Sequence, residues 1–375
     1  MRNGRLGLRL LLGLGLLAAL GLPAGAANWP RFRGPNGTGV ADDKNIPAEW
    51  TEKDYLWKVA LPGVGNSSPI VWGDRVFLQC ASADSKERLL VCVSAATGKI
   101  LWTASEPGGR AANLNRKYNT LASSTPATDG QRVYCVWWDG TGLSLAAYDL
   151  DGKRVWKRDL GKFKSQHGAG ASPIVVGDKV ILNNDQDGSA RLQAFDAKTG
   201  KPAWEVKRTA FRACYATPFV LERPGGPPEL VVASTAGLAG YDPDSGKERW
   251  HWDWKFDGMA LRTVGSPVYS KGILFALSGD GSGARHAVAV RIGSQGDVTK
   301  TDLAWQNKRN RAFPYVPGPL VLGDHLYFIN DRGVAACHEA ATGKQVWAEE
   351  LNCTVSASPV LIDGKVYAVS DDGDV

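Results

Sequence analysis

Seven tryptophans divide this chain into lengths of similar size, and that repetition excludes most folds open to 375 residues. "ATGKILW" (96–102), "DGKRVW" (151–156), "KTGKPAW" (198–204), "DSGKERW" (244–250) and "ATGKQVW" (341–347) are copies of one unit. Trp57 in "DYLWKVAL" and Trp305 in "TDLAWQN" are looser copies. Trp57, Trp102, Trp156, Trp204, Trp250, Trp305 and Trp347 are 45, 54, 48, 46, 55 and 42 residues apart, the period of a solenoid or a propeller.

A second mark precedes each tryptophan. "SSPIVWGDRVFL" (67–78), "STPATDGQRVYC" (124–135), "ASPIVVGDKVIL" (171–182), "YATPFV" (215–220), "GSPVYSKGILFA" (265–276), "PGPLVLGDHLYF" (317–328) and "ASPVLIDGKVYA" (357–368) each read as a small residue, a proline, an apolar strand, a tight turn and a second strand. Proline fits the first position of a strand, where its missing N–H costs no ladder bond. With the "LQAFDAKTG" strand and the tryptophan strand, each repeat holds four strands, and nothing after residue 27 shows a sustained helical period. The pattern predicts an all-β chain, a β-propeller of four-stranded blades. The tryptophan then lies on the outermost strand, where its ring can cover the next blade and its indole N–H can reach a backbone carbonyl. It is read as a structural fastener between blades.

Aligning the repeats on Thr-Gly places Cys92, Ala194, Gly240 and Cys337 in one slot, two residues before Ser94, Asp196, Asp242 and Glu339. A slot that takes only Ala, Gly or Cys is a tight packing site, so these thiols are expected to be buried and free. The other cysteines are Cys80, Cys135, Cys214 and Cys353, and no C-x-x-C pair suggests zinc.

Residues 1–27 differ in kind. Arg2, Arg5 and Arg9 precede an apolar run from Leu10 to Leu22, and Ala24-Gly25-Ala26-Ala27 follows, the pattern of a cleavable signal peptide. No cysteine stands near the cleavage site to carry a lipid, so a periplasmic or secreted protein without a transmembrane segment is expected. Removing the leader takes away three arginines and no acid, which lowers the formal charge from +6 to +3. That balance does not indicate nucleic acid.

The repeats resemble those of the pyrroloquinoline-quinone (PQQ) propeller superfamily, whose blades carry an A-x-D-x-x-T-G-K-x-x-W motif; "AFDAKTGKPAW" (194–204) matches it throughout. The resemblance covers residues 55–375, and "NWPRFRGPNGTGV" (28–40) resembles the start of exported PQQ-binding-like repeat proteins. It implies a signal peptide (1–27), a lead-in (28–54) and a propeller (55–375). The superfamily divides into quinoprotein dehydrogenases, which hold PQQ with calcium, a catalytic aspartate and often a disulfide between adjacent cysteines, and non-catalytic members such as BamB. This chain has no Cys-Cys pair. The expectation is an exported, non-catalytic binding scaffold of the cell envelope, with a PQQ-dependent oxidoreductase as the alternative.

The residues that bear on binding lie in the crossings that precede each Ser-Pro strand, which the fold places on one face around the central channel. Asn66, Arg116, Tyr118, His167, Arg212, Tyr215, Arg262, Arg311 and Tyr315 recur there with hardly an acid among them. A basic, aromatic-lined mouth of this kind suits an envelope protein or an anionic or carbohydrate ligand. No catalytic or metal set is assigned. "NNDQDGSAR" (183–191) has the opening of a calcium loop, but its closing position is Ala194, and it is read as a solvated turn. "GDGSGAR" (279–285) is read as a hairpin.

The last repeat stops at "VSDDGDV" (369–375), 16 residues after Pro359, where the sixth runs 28 residues from Pro319 to Trp347. Its blade is expected to be incomplete, with Trp57's strand as the outer strand of a ring of seven or eight blades.

Overall fold

A computed structural model describes residues 28–375 except 112, 113, 115–118, 224, 260 and 309. The signal-peptide reading falls on residues 1–27, outside the described residues. Among the described residues there are seven sheets, antiparallel apart from one added parallel strand in each of two of them. Blade 1 consists of strands Ile70–Trp72, Arg75–Ala81, Glu87–Ser94 and Ile100–Pro107, hydrogen-bonded in chain order. The innermost strands of blades 2 to 7 are Ala127–Thr128, Ile174–Val176, Phe219–Leu221, Val268–Ser270, Leu320–Leu322 and Val360–Ile362.

Each innermost strand begins directly after its proline, and the residue before that proline ties the blades together. Backbone N–H groups donate from Ser68 to Thr125 Oγ1 (3.0 Å), Thr125 to Ser172 Oγ (3.0 Å), Thr217 to Ser266 Oγ (3.0 Å) and Gly318 to Ser358 Oγ (2.8 Å). Each hydroxyl satisfies a donor of the preceding blade that its own sheet cannot reach. The small residue before proline is thus a link in a belt of hydroxyls around the channel.

The tryptophan strand is fixed by register. Cys92, Ala147, Ala194, Gly240, Ala289 and Cys337 stand directly opposite Trp102, Trp156, Trp204, Trp250, Trp305 and Trp347, and a bulge follows in all six blades. The indole reaches out of its own sheet. Nε1 donates to a turn carbonyl of the next blade from Trp102 (Leu150 O, 2.9 Å), Trp156 (Ala197 O, 3.0 Å), Trp204 (Pro243 O, 3.1 Å) and Trp305 (Ala340 O, 2.9 Å). Trp57 does the same to blade 1 at Ala95 O (2.7 Å). The turn glycine under each ring has positive φ, and a Cβ on Gly98, Gly152, Gly200, Gly246 or Gly343 would stand 2.5–2.8 Å from indole carbons. Only glycine satisfies both conditions.

Three readings are corrected here. Trp250 does not reach a turn of blade 5, because residues 292–302 replace the Thr-Gly turn there and Gly296–Asp297 instead pairs parallel with Glu248–Asp253. Its indole donates inward to the buried Glu229 Oε1 (2.8 Å). Trp347 remains 44% exposed at the edge of blade 6. Trp57 is in no strand among the described residues, and the N-terminal piece of the last blade is Val40–Ala41, parallel to Val360–Ile362 at that sheet's inner edge.

That piece ends a strap, residues 28–41, laid across one end of the channel. Trp29 exchanges backbone hydrogen bonds with Val71 of blade 1, Pro30 O accepts from Thr128 of blade 2, and Gly39 O accepts from Leu361 of blade 7. Arg31 Nη1 donates to Pro218 O (2.8 Å) and Arg33 Nη2 to Pro319 O (2.5 Å), while Asn36 Oδ1 accepts from Val220 N–H (3.1 Å). Three glycines let the strap fold on its own side chains: Gly34 lies against the Trp29 ring, Gly37 under the Arg31 guanidinium and Gly39 under that of Arg33. Fourteen residues that touch blades 1, 2, 4, 6 and 7 place those innermost strands around one axis. Beyond the strap, residues 45–50 run over blade 7, where Tyr367 Oη donates to Pro47 O (2.8 Å). The lead-in is therefore an integral part of the propeller.

All six cysteines are free, five of them buried. Burial pushes the Cys92 thiol up to about 11, in keeping with a packing role.

Candidate functional site

At the other end of the channel, the crossings between blades meet the turns that join the second and third strands. Blades 3 to 6 supply most of this face. Asp187, in the two-residue turn between Lys179–Gln186 and Ser189–Asp196, accepts from Ala213 N–H (2.9 Å) and from Arg262 Nη1 (3.1 Å). Arg262 is 1% exposed and also donates to Ala213 O (3.2 Å). Its Nε has no hydrogen-bond partner among the described residues. Tyr215 N–H donates to Thr263 O (2.9 Å), and the Tyr215 and Ser165 hydroxyls are 2.6 Å apart. One crossing further, Asp331 Oδ2 accepts from Tyr315 N–H (2.7 Å) and pairs with Arg285 (3.3 Å). The Arg285 guanidinium lies 5.2 Å from the centre of the Tyr315 ring.

The structure brings His167, Arg212, Tyr215, Arg262 and Tyr315 within electrostatic reach of one another. Arg311 is exposed beside Arg285 and Arg332 at a recess of about 10 Å³, the size of one water. Asn66 is exposed between blades 1 and 2, its N–H donating to Ala122 O (3.0 Å). Arg116 and Tyr118 lie outside the described residues. The near absence of acids expected from the sequence is corrected: Asp187 and Asp331 project from turns rather than crossings and neutralise Arg262 and Arg285. Asp187 is thus an ion-paired group of the mouth and more than a solvated turn residue.

Burial alone would raise the Asp187 carboxyl, but the Ala213 N–H, the Arg262 guanidinium and the charge of Arg212 together hold it below the usual carboxylate range. Burial pushes the Tyr215 and Tyr315 hydroxyls up, so both remain protonated donors at neutral pH. His167 is depressed below its ordinary 6.5, first by burial and then by the charges of Arg262 and Arg212. The folded chain therefore refuses a proton that the unfolded chain takes up, and stability falls as the pH drops from 6.5 toward the depressed value. The substitution His167→Gln is expected to flatten that part of the stability–pH curve in denaturant titrations. An unchanged slope would show that His167 is not held neutral by this cluster.

The family profile described as "Outer membrane protein assembly factor BamB" matches residues 54–212 and 295–375. The chain belongs to this family. A BamB of Shewanella oneidensis is 25% identical over 316 residues, which cover 77% of this chain and 73% of the relative. One of Bordetella pertussis is 24% identical over 280 residues, covering 74% of this chain and 64% of the relative. The dehydrogenase subunit of a quinone-dependent alcohol dehydrogenase from Gluconacetobacter polyoxogenes is 34% identical over 129 residues, 31% of this chain and 16% of its own length. Among solved structures, a europium-containing methanol dehydrogenase superposes with a TM-score of 0.51 at 12% identity, covering 92% of this chain and 88% of its own, which supports a shared propeller fold. The profile passes over residues 213–294, which hold most of blades 4 and 5. The family match therefore spans His167, Asp187 and Arg212 and omits Tyr215 and Arg262.

The PQQ and calcium of the dehydrogenase branch can be tested against the residues present. Calcium takes several oxygen donors, commonly carboxylates. Asp187 and Asp331 are each bound to an arginine, the Asp280 carboxylate accepts from Ser282 and Ala284, and no cluster of three or more His, Cys, Asp or Glu that could hold a metal occurs among the described residues. The donor set does not fit that cation.

Proposed function

We propose that the protein is an exported, non-catalytic scaffold of the cell envelope that binds a partner protein through the face built from the crossings of blades 3 to 6. The reading rests on the pairing of that face: Asp187 and Asp331 are committed to guanidiniums, which suits a rigid recognition surface better than proton transfer. The family's outer-membrane assembly role and the leader-like residues 1–27 support the location. Among the described residues no helix is long and apolar enough to cross a membrane. Exposed Arg311 and half-buried Tyr215 and Tyr315 offer the Arg and Tyr contacts that dominate protein interfaces.

A photo-reactive residue at Arg311 in producing cells is expected to capture an outer-membrane assembly protein, and Arg212→Ala to weaken capture while leaving the melting temperature within about 2 °C. The rival reading is a quinoprotein oxidoreductase. Full-length protein mixed with PQQ and calcium should not reduce an acceptor dye with alcohols or sugars; sustained turnover would replace the scaffold with an enzyme.

A further inference from the structure

The strap leaves a second concavity at its own end of the channel, opposite the crossing face. It encloses about 550 Å³ between residues 28–42 and the innermost strands of blades 4 to 6. Trp29, Pro35, Phe219, Leu221, Val268, Tyr269 and Val321 supply its apolar and aromatic wall. The space follows from how the strap is held: it pairs backbone to backbone with blades 1, 2 and 7, whereas it reaches blades 4 and 6 through the side chains of Arg31, Asn36 and Arg33. A 550 Å³ volume lies within the range of small-molecule sites.

The charge on this lining has one sign. Among the described residues, Asp42 and Glu222 are the carboxylates that line it, both exposed, and no Lys or Arg does. Arg31 and Arg33 are held away from it, donating to the carbonyls of Pro218 and Pro319. Apart from Val321, every lining residue lies outside the segments matched by the family profile.

We propose that this strap pocket binds a small organic cation with an apolar body, of the alkyl- or arylammonium class, its hydrocarbon against Trp29, Phe219 and Val268 and its charge toward Asp42 and Glu222. Burial of the apolar part supplies attraction without direction. The carboxylates and the faces of Trp29 and Tyr269 supply the preference for positive charge.

Titration calorimetry on the full chain tests this with phenethyltrimethylammonium and its neutral analogue 2-phenylethanol. The cation is expected to bind at one site and roughly tenfold more tightly than the alcohol, a ratio that Asp42→Asn/Glu222→Gln abolishes. Thr38→Trp, an exposed strap position that lines the pocket, is expected to fill it and remove binding of both probes with the circular dichroism spectrum unchanged. Equal affinity for the two probes, a cation affinity unmoved by the double substitution, or no heat from either at millimolar concentration overturns the proposal. These outcomes are independent of capture at the crossing face.

Discussion

Replacing Trp156 by alanine is expected to destabilise the propeller by about 3–5 kcal/mol, while the same change at Trp347 costs less than about 0.5 kcal/mol. The two residues occupy the same register position, opposite Ala147 and Cys337. Their surroundings differ. Trp156 is 8% exposed, lies over Gly200 and donates to Ala197 O in blade 3, so its loss opens a cavity between two sheets and leaves that carbonyl with the Tyr134 hydroxyl (3.2 Å) as its remaining side-chain donor. Trp347 is 44% exposed. Gly200→Val should approach the Trp156 loss from the other side, since a Cβ there meets the indole at 2.5 Å on a backbone with φ of +66°. Equilibrium denaturation of the three variants decides the matter, and equal costs at Trp156 and Trp347 would show that the rings stabilise their own strands and not the joint between blades.

Arg33→Ala is expected to cost roughly 2–4 kcal/mol, the loss of two charge-assisted hydrogen bonds offset in part by the desolvation that burial imposes. Arg33 is 3% exposed, donates to Thr38 O and Pro319 O, and has no carboxylate partner among the described residues. Burial pulls its guanidinium down to about 10. Its place is prepared by two glycines: Gly39 lies 2.7 Å under it when given a Cβ, and Gly318 stands where the other blades carry a hydroxyl before the proline. Arg33 therefore fills a gap in the hydroxyl belt. Gly318→Ser would put a side chain into the guanidinium and should release the strap, read as new proteolytic cleavage between residues 28 and 41 at unchanged sheet content. A strap that resists protease in both variants would show that its backbone pairing with blades 1 and 7 is sufficient.

The blades were legible because each repeat solves the same local problem with the same residues. Pro at a strand start, Gly at positive φ under a ring and a small residue opposite the tryptophan are requirements of single positions, and they print directly into a period. What lay between repeats was harder to read. The Asp187–Arg262 pair joins a turn to a crossing 75 residues away, so a search confined to crossings found the arginines and missed the acids that neutralise them. The hydroxyl belt was visible only as smallness before proline, although Ser or Thr in six of the seven copies was a chemical signal. In "NWPRFRGPNGTGV" large side chains at 29–33 are followed by glycines at 34, 37 and 39, which suits a segment that packs on itself, but no spacing rule said which blades it would meet. Trp250 has the motif and not the contact, because the turn it needs belongs to blade 5 and was replaced there.

The strap also orders events in time. Residues 28–41 are made before any blade, yet Arg31 finds its acceptor 187 residues later and Arg33 finds its own 286 residues later. Closing loops of that length is slow compared with forming hairpins, each of which joins neighbours within a blade. A segment made before every blade is consequently among the last to be seated, and until then the ring has no clasp. Unfolding is expected to retrace the same constraint, with release of these fourteen residues among its early steps.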